Sequence, residues 1–294
     1  MKPTITDVRV HPGDAAFLVD DGKTAILYDT GFGFTGKKLT ENIRAILGER
    51  KLDYIFLTHS HYDHVLGACH VKRAYPQAVV IAGEYVQKVF SKPSARETMR
   101  ALDHAAASKA GITDYEDLTD ELHVDIIVRD GDLISCGEMA FRVLSLPGHT
   151  KCSIGFYLEE DGLLLGTETL GVYLGEGVYL PSYLVGYQMS MDSFARARAL
   201  DVRRLLVPHY GELEGEAAHA YLEGSQRAAM DAAQRIREIL CAGGSKEEAF
   251  AYFKETFYTE HVRPAYPIDA FNLNTGILID LVRKELVCPM GGEA

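Results

Sequence analysis

Between Leu57 and Gly67 the chain reads Leu-Thr-His-Ser-His-Tyr-Asp-His-Val-Leu-Gly, which crowds three imidazoles and one carboxylate, His59, His61, Asp63 and His64, into six positions. Few stretches constrain a fold more. The preceding Asp53-Tyr54-Ile55-Phe56-Leu57-Thr58 is aromatic and aliphatic and predicts a short buried strand, and a helix can start near Asp63 to Gly67. The four polar groups then sit at the C-terminal mouth of a strand. His59 and His61, two apart, can turn into one site, while Asp63 and His64 turn into a neighbouring one. Neutral imidazole with carboxylate suits zinc, and also iron or manganese. A histidine-rich surface loop is the plain alternative, and the density of ligands at a strand end argues against it.

The H-x-H-x-D-H pattern of His59, His61, Asp63 and His64 resembles the signature of the metallo-β-lactamase superfamily. That resemblance implies an αββα sandwich, an α/β arrangement of four layers, with a mono- or dinuclear metal site at one edge. It also implies three later ligands: a histidine after a strand, a bridging aspartate, and a histidine near the end of the core. The chain offers His149 in Leu-Pro-Gly-His-Thr, Glu168 in Thr-Glu-Thr, and His209 in Val-Pro-His-Tyr-Gly. By the resemblance, His59, His61 and His149 hold one ion, Asp63, His64 and His209 a second, and Glu168 bridges or leans to one. Two divalent cations are expected, zinc first, with iron or manganese as alternatives. One departure stands out, because Thr167-Glu168-Thr169 replaces the usual Gly-Asp-Thr. The extra methylene moves the carboxylate by about one bond length, large against a metal–ligand tolerance of about 0.2 Å, so a weaker second ion or altered spacing is expected.

The chain opens with apolar runs over Ile5 to Val10, Ala15 to Val19 and Thr24 to Tyr28, the last two joined by Asp20-Asp21-Gly22-Lys23, a hairpin turn. They lead to Asp29-Thr30-Gly31, which is similar to the family's Asp-Thr-Gly motif; there the aspartate is an outer-shell residue that fixes the orientation of a ligand. Asp63 and Asp29 are the two carboxylates expected to serve catalysis. Apolar Leu39, Ile43, Ile46 and Leu47 recur at helical spacing and Gly48 stops that helix. Ala68 to Tyr75 predicts a second helix and Ala78 to Ile81 a strand, the rhythm of a β-α-β unit. His70, on that helix, reads as a satisfied or exposed histidine.

Residues 83–111 are helix-prone and polar and could cover a pocket. Lys92, Arg96 and Arg100 recur every four residues and share one helical face, which reads as a solvated basic face, with an anionic substrate group as the alternative. Thr113 to Glu121 is acidic and predicts a loop. Strands follow at Val124 to Val128, Leu133 to Cys136, Ala140 to Leu146, Ser153 to Leu158 and Leu163 to Gly166, and the last core strand is Arg203 to Val207. Tyr173, Tyr179, Tyr183 and Tyr187 lie among glycines beside the proposed metal edge; pocket wall and sheet packing explain them equally.

After Gly215 the character changes. Glu216 to Leu240 is a long helix-prone run, Ser245 and Glu248 form a capping box for Lys246 to Phe257, and Ala270 to Leu286 is a third helix. The expected division is a metallo-β-lactamase-like domain over residues 1–214 and a helical extension over 215–294. That layout is similar to the glyoxalase II enzymes and the quinolone-signal response thioesterases, whose C-terminal helices cover the cleft.

At 294 residues and 47% hydrophobic, the chain can bury a full core. A net charge of -12 argues against nucleic acid as the main partner, since phosphate neutralisation needs a basic surface. No apolar run is long enough for a membrane span and no cleavable signal is visible, so a cytoplasmic protein with no membrane partner is expected. Cys69, Cys136, Cys152, Cys241 and Cys288 show no C-x-x-C spacing and read as reduced buried thiols; Cys152 in particular reads as a thiol and not a ligand.

The resemblance implies hydrolysis by a metal-activated hydroxide, whose parent water is lowered from a pKa of about 15.7 to about 7. No G-x-S-x-G elbow competes with this reading. A small-molecule thioester or ester is the preferred substrate, because a thiol with a pKa of about 8.5 leaves without a dedicated general acid. Phosphodiesters and lactones are the alternatives within the same fold, iron-dependent oxidative chemistry another, and a metal-binding sensor or effector with little catalysis a further one. The residues assign no oligomeric state.

Overall fold

The computed structural model describes residues 2–287 apart from Glu176 and Ala265. Its strands are β1 (Thr4–Asp7), β2 (Phe17–Asp20), β3 (Ala25–Tyr28), β4 (Tyr54–Leu57), β5 (Val79–Gly83), β6 (Ile126–Val128), β7 (Leu133–Cys136), β8 (Met139–Ser145), β9 (Ile154–Leu158), β10 (Leu163–Leu165), β11 (Val172–Tyr173), β12 (Tyr179–Leu180), β13 (Arg204–Val207) and β14 (Gly211–Glu214). The helices are α1 (Gly36–Leu47), α2 (Tyr62–Val65), α3 (Ala68–Ala74), α4 (Glu84–Phe90), α5 (Pro93–Lys109), α6 (Tyr187–Arg198), α7 (Glu216–Cys241), α8 (Lys246–Phe257) and α9 (Ile268–Leu286).

Two six-stranded sheets, in the orders β1-β2-β3-β4-β5-β6 and β14-β13-β10-β9-β8-β7, pack face to face. Side chains alternate along each strand, so both faces of a sheet can be apolar only if both are covered. In β2 and β3, Phe17, Val19, Ile26 and Tyr28 point between the sheets while Leu18 and Leu27 point to the opposite face. The inter-sheet layer is aromatic at its centre, where Phe56 stacks on Phe156 at 4.3 Å and meets Phe141 edge-on at 5.4 Å. Leu39, Ile43 and Leu47 of α1, with residues of α3, α4 and α5, cover the outside of the first sheet; Ile46 faces solvent. Helices α6 to α9 cover the outside of the second, through Phe194, Tyr221, Ala233, Phe253, Phe271 and Ile279. The result is the four-layer αββα sandwich.

Strands β3, β4, β5 and β6 are parallel, as are β10 and β13. Their C-terminal ends therefore open along one edge of the sandwich, where loops free of ladder bonds can carry polar groups. The capping box that opens α8 is present: Ser245 Oγ accepts from Glu248 N at 3.2 Å and Glu248 Oε2 accepts from Ser245 N at 2.7 Å.

Two sequence expectations change, and a choice left open between two roles narrows. Arg96 and Arg100 form neither a solvated face nor a substrate hook. Arg100 pairs with Glu97, Asp117 and Asp120, and Arg96 donates to Phe90 O, because the acidic 113–121 segment folds back onto α5. Lys92 precedes the helix as its cap. Cys69, Cys136 and Cys152 are buried free thiols, but Cys241 is exposed at the last position of α7, and Cys288 lies outside the described residues. The tyrosines chiefly pack: Tyr173 stacks on Tyr179 at 5.3 Å, both lie against Tyr221 of α7, and Tyr183 is buried.

Candidate metal centre

The candidate side chains enter from loops and the short helix α2 at that edge. His59 follows β4, His61 caps α2, and Asp63 and His64 lie within α2. His149 follows β8 through Gly148, at φ 141°, where a Cβ would stand 2.0 Å from Ser190 Oγ. Glu168 opens a 3-10 turn after β10, and His209 sits in the β13–β14 turn at φ 63°.

The structure brings all seven together. His59, His61, His149 and Glu168 form one cluster and Asp63, His64 and His209 a second, in each of which one ligand atom per residue lies within 4.8 Å of the others. Glu168 stands between them. Its Oε2 is 2.7 Å from His149 Nε2, 3.5 Å from His59 Nε2, 3.6 Å from His64 Nε2 and 4.0 Å from His61 Nδ1, while Oε1 is 3.3 Å from His209 Nε2. Glu168 is buried. Asp63 Oδ2 reaches to 3.9 Å from His64 Nε2 and 4.0 Å from His209 Nε2.

The outward nitrogens decide the tautomers. His149 Nδ1 is 2.9 Å from Ser182 O and His209 Nδ1 is 3.1 Å from Asp14 O. Carbonyls only accept, so these nitrogens carry protons, and in the neutral ring the inward Nε2 is the atom left with a lone pair. His64 Nδ1 meets Asp29 Oδ2 at 2.8 Å, and the same carboxylate accepts from Thr58 N at 2.9 Å and from Thr58 Oγ1 at 2.8 Å. With its proton given to Asp29, the Thr58 hydroxyl accepts from His59 Nδ1 at 3.0 Å. Asp29 is fully buried behind His64, away from the cleft, so of the two carboxylates expected in catalysis it orients a histidine and does not face the reaction space. Thr58, Ser182 and Asp14 were not singled out by sequence. Asp14 acts on His209 through its backbone carbonyl, which leaves no trace in residue type, whereas Ser182 meets His149 Nδ1 through both its carbonyl at 2.9 Å and its hydroxyl at 2.8 Å.

Two observations test whether a divalent cation fits. His59 Nε2 and His64 Nε2 are buried without a hydrogen-bond partner, a state proteins rarely tolerate. Burial, with His64 second, holds His59 well below the ordinary imidazole range. Burial, with His149 second, pushes His61 down to about 3, although its side chain is 39% exposed. Neutral imidazoles with inward lone pairs beside a carboxylate are the donor set a cation requires, and the site fits one. At His64 burial acts downward, but Asp29 and Asp63 outweigh it and hold the ring well above the ordinary range.

His70 is satisfied elsewhere, its Nε2 lying 3.1 Å from Glu116 O. A cleft of about 550 Å³ opens beside His209, lined by Arg9, His11, Leu174, Tyr210, His261 and Pro264 among others. Leu174 therefore gives the tyrosine-rich region one edge on the cleft.

An αββα sandwich with seven histidine and carboxylate groups gathered at one strand-end edge defines a class of metal-site proteins. Residues 12–209 match the family model of the metallo-beta-lactamase superfamily, and the chain belongs to that superfamily. Among characterised relatives, glyoxylase B2 of Dictyostelium discoideum is 31% identical over 144 residues, 47% of this chain and 44% of that one. A hydroxyacylglutathione hydrolase of Bradyrhizobium sp. (strain ORS 278) is 30% identical over 156 residues, 53% of this chain and 47% of that one. The chain thus matches a little under half the length of each. Among solved structures, a metallo-beta-lactamase family protein of Thermus thermophilus covers 99% of this chain and 96% of its own, with TM-score 0.67 and 20% identity. An archaeal superfamily member from Sulfolobus tokodaii covers 72% and 80%, with TM-score 0.54 and 20% identity. At those identities the two structures speak for the fold alone.

Proposed function

We propose that this protein is a metal-dependent hydrolase of small-molecule thioesters or esters, with a dinuclear, zinc-type centre. The convergence of imidazole nitrogens from both clusters on Glu168 carries the reading. Residues 1–214 form the hydrolase domain and residues 215–294 the helical extension. The relatives that hydrolyse acylglutathione thioesters point to the same substrate chemistry. A cytoplasmic setting agrees with the free thiols of Cys69, Cys136, Cys152 and Cys241, and no helix among the described residues is long and apolar enough to cross a membrane.

His59, His61 and His149 would hold one cation and Asp63, His64 and His209 the other, with the Glu168 carboxylate placed between the two sets. When bound, such a pair supplies Lewis acidity to a water and to the substrate carbonyl oxygen. The protein supplies position. Asp29 and Thr58 lock the rings of His64 and His59, Ser182 locks His149 and Asp14 locks His209, so the donors need no reorganisation on binding. Asp63, with its side chain 22% exposed, is the carboxylate of the set that reaches toward solvent and can hold a proton-bearing nucleophile. A thiol leaving group departs as thiolate, which explains why no separate acid is required.

The test is metal content of protein purified without added ions, together with turnover of a panel of thioesters, phosphodiesters and lactones. Thioester hydrolysis that disappears together with bound metal in His61→Ala is the expected result. Full metal occupancy without turnover would refute the hydrolase and favour a sensor, and oxygen consumption would favour oxidative chemistry.

A further inference from the structure

His209 adopts a left-handed backbone at φ 63°, a conformation that non-glycine residues resist and that persists only when surroundings impose it. The surroundings come from the segment between β1 and β2, about two hundred residues away in sequence. Arg9 Nη1 donates to His209 O and Nη2 donates to Tyr210 O at 3.3 Å. The guanidinium is itself aimed: Nε donates to Asp7 Oδ1 at 2.9 Å, Nη2 to Asp7 Oδ2 at 2.6 Å, and its plane lies over the Phe17 ring at 5.0 Å. The same segment holds the other end of the residue, since Asp14 O accepts from His209 Nδ1 at 3.1 Å. Asp14 in turn shapes that segment, accepting from Val10 N at 3.0 Å and His11 N at 2.8 Å through one oxygen and from Phe32 N at 3.0 Å through the other.

We infer that Arg9, aligned by Asp7, is a positioning residue that fixes the strained His209 backbone and so sets the half of the metal centre made by Asp63, His64 and His209. A planar fork with several donors can grip two successive carbonyls and a carboxylate at once, which an ammonium cannot. Although Arg9 lines the cleft, its Nε, Nη1 and Nη2 each donate within the protein, so the guanidinium is held against Asp7 and the His209 and Tyr210 carbonyls. The inference rests on the two-cation reading of the site.

Zinc titration of the metal-free full chain against a chromophoric chelator separates the two equivalents. Arg9→Lys, Arg9→Ala and Asp7→Asn are each expected to weaken the second equivalent at least tenfold, leave the first at the wild-type value, and leave the melting temperature of the metal-free protein within a few degrees. Lys keeps the charge and loses the fork, so a second equivalent restored by Lys would overturn the assignment to geometry. Wild-type affinity for both equivalents in all three variants would overturn it outright. Parallel loss of both equivalents with a fall in metal-free melting temperature would also overturn it, by showing a general role in the fold. His209→Ala is the control and should lose the second equivalent; if it keeps both at wild-type affinity, His209 is no ligand and the inference is overturned, whereas a wild-type chain that binds only one equivalent refutes the two-cation reading itself.

Discussion

Asp103 offers a quantitative test of how the polar insertion is held over the fold. It lies on α5 and is buried; Gly33 N donates to its Oδ1 at 2.9 Å and the Tyr115 hydroxyl to its Oδ2 at 2.5 Å. These contacts pin the insertion to the turn that carries Phe32 and Phe34, which stack at 4.9 Å near Tyr62 and hence beside the metal motif. Burial raises the carboxyl to about 6, against the downward pull of Tyr115 and Gly33. The folded protein therefore binds this proton more tightly than the unfolded chain. The stability it contributes is fully present below the ordinary carboxylate range near 3.8 and is lost as pH rises through about 6. At about 1.4 kcal/mol per pH unit, the loss amounts to roughly 3 kcal/mol. In Asp103→Asn the position does not titrate, so its stability relative to wild type should improve by up to that amount between pH 4 and pH 7.5. Urea unfolding of both proteins across that range, in metal-free form, measures it. A stability difference that stays constant with pH would refute the buried-charge reasoning.

Three further substitutions probe the centre. Glu168→Asp shortens the arm by about one bond length, against tolerances of about 0.2 Å; because Glu168 already reaches both clusters, zinc affinity should fall for at least one ion by tenfold or more in a chelator competition. Asp29→Asn keeps the shape but removes the carboxylate at His64 Nδ1, and should lower metal affinity by roughly 10–100-fold with little change in far-ultraviolet circular dichroism. Gly148→Ala forces a Cβ onto Ser190 in a backbone region closed to L-residues, so destabilisation of about 2 kcal/mol or more and loss of metal at the His149 cluster are expected from thermal melts and metal analysis.

Much of the site is legible in one dimension because metal ligation needs rare residue types. His59, His61, Asp63 and His64 announce themselves by density, and His149, Glu168 and His209 follow from the family resemblance that this density carries. The strand and helix pattern is legible for a similar reason. A sheet buried on both faces demands continuous apolar runs, and α1 and α8 carry their own stop and start signals in Gly48 and Ser245. The exposure of Cys241 shows the limit, because a thiol at the last turn of a helix looks the same in sequence whether that turn is covered or not.

What the order of residues determined, then, is local: the donor-rich run, the periodicity and the caps, with the four-layer class implied by the family resemblance of the donor-rich run. The tertiary structure alone decided that Glu168 stands between two clusters, that Asp29 faces the back of His64, that Arg100 is consumed by Asp117 and Asp120, and that Arg9 grips His209. The physical reason is that each of these is a directional hydrogen bond or ion pair set by how sheets and loops dock. An arginine carries the same donors wherever it stands, and only packing selects which acceptor they meet.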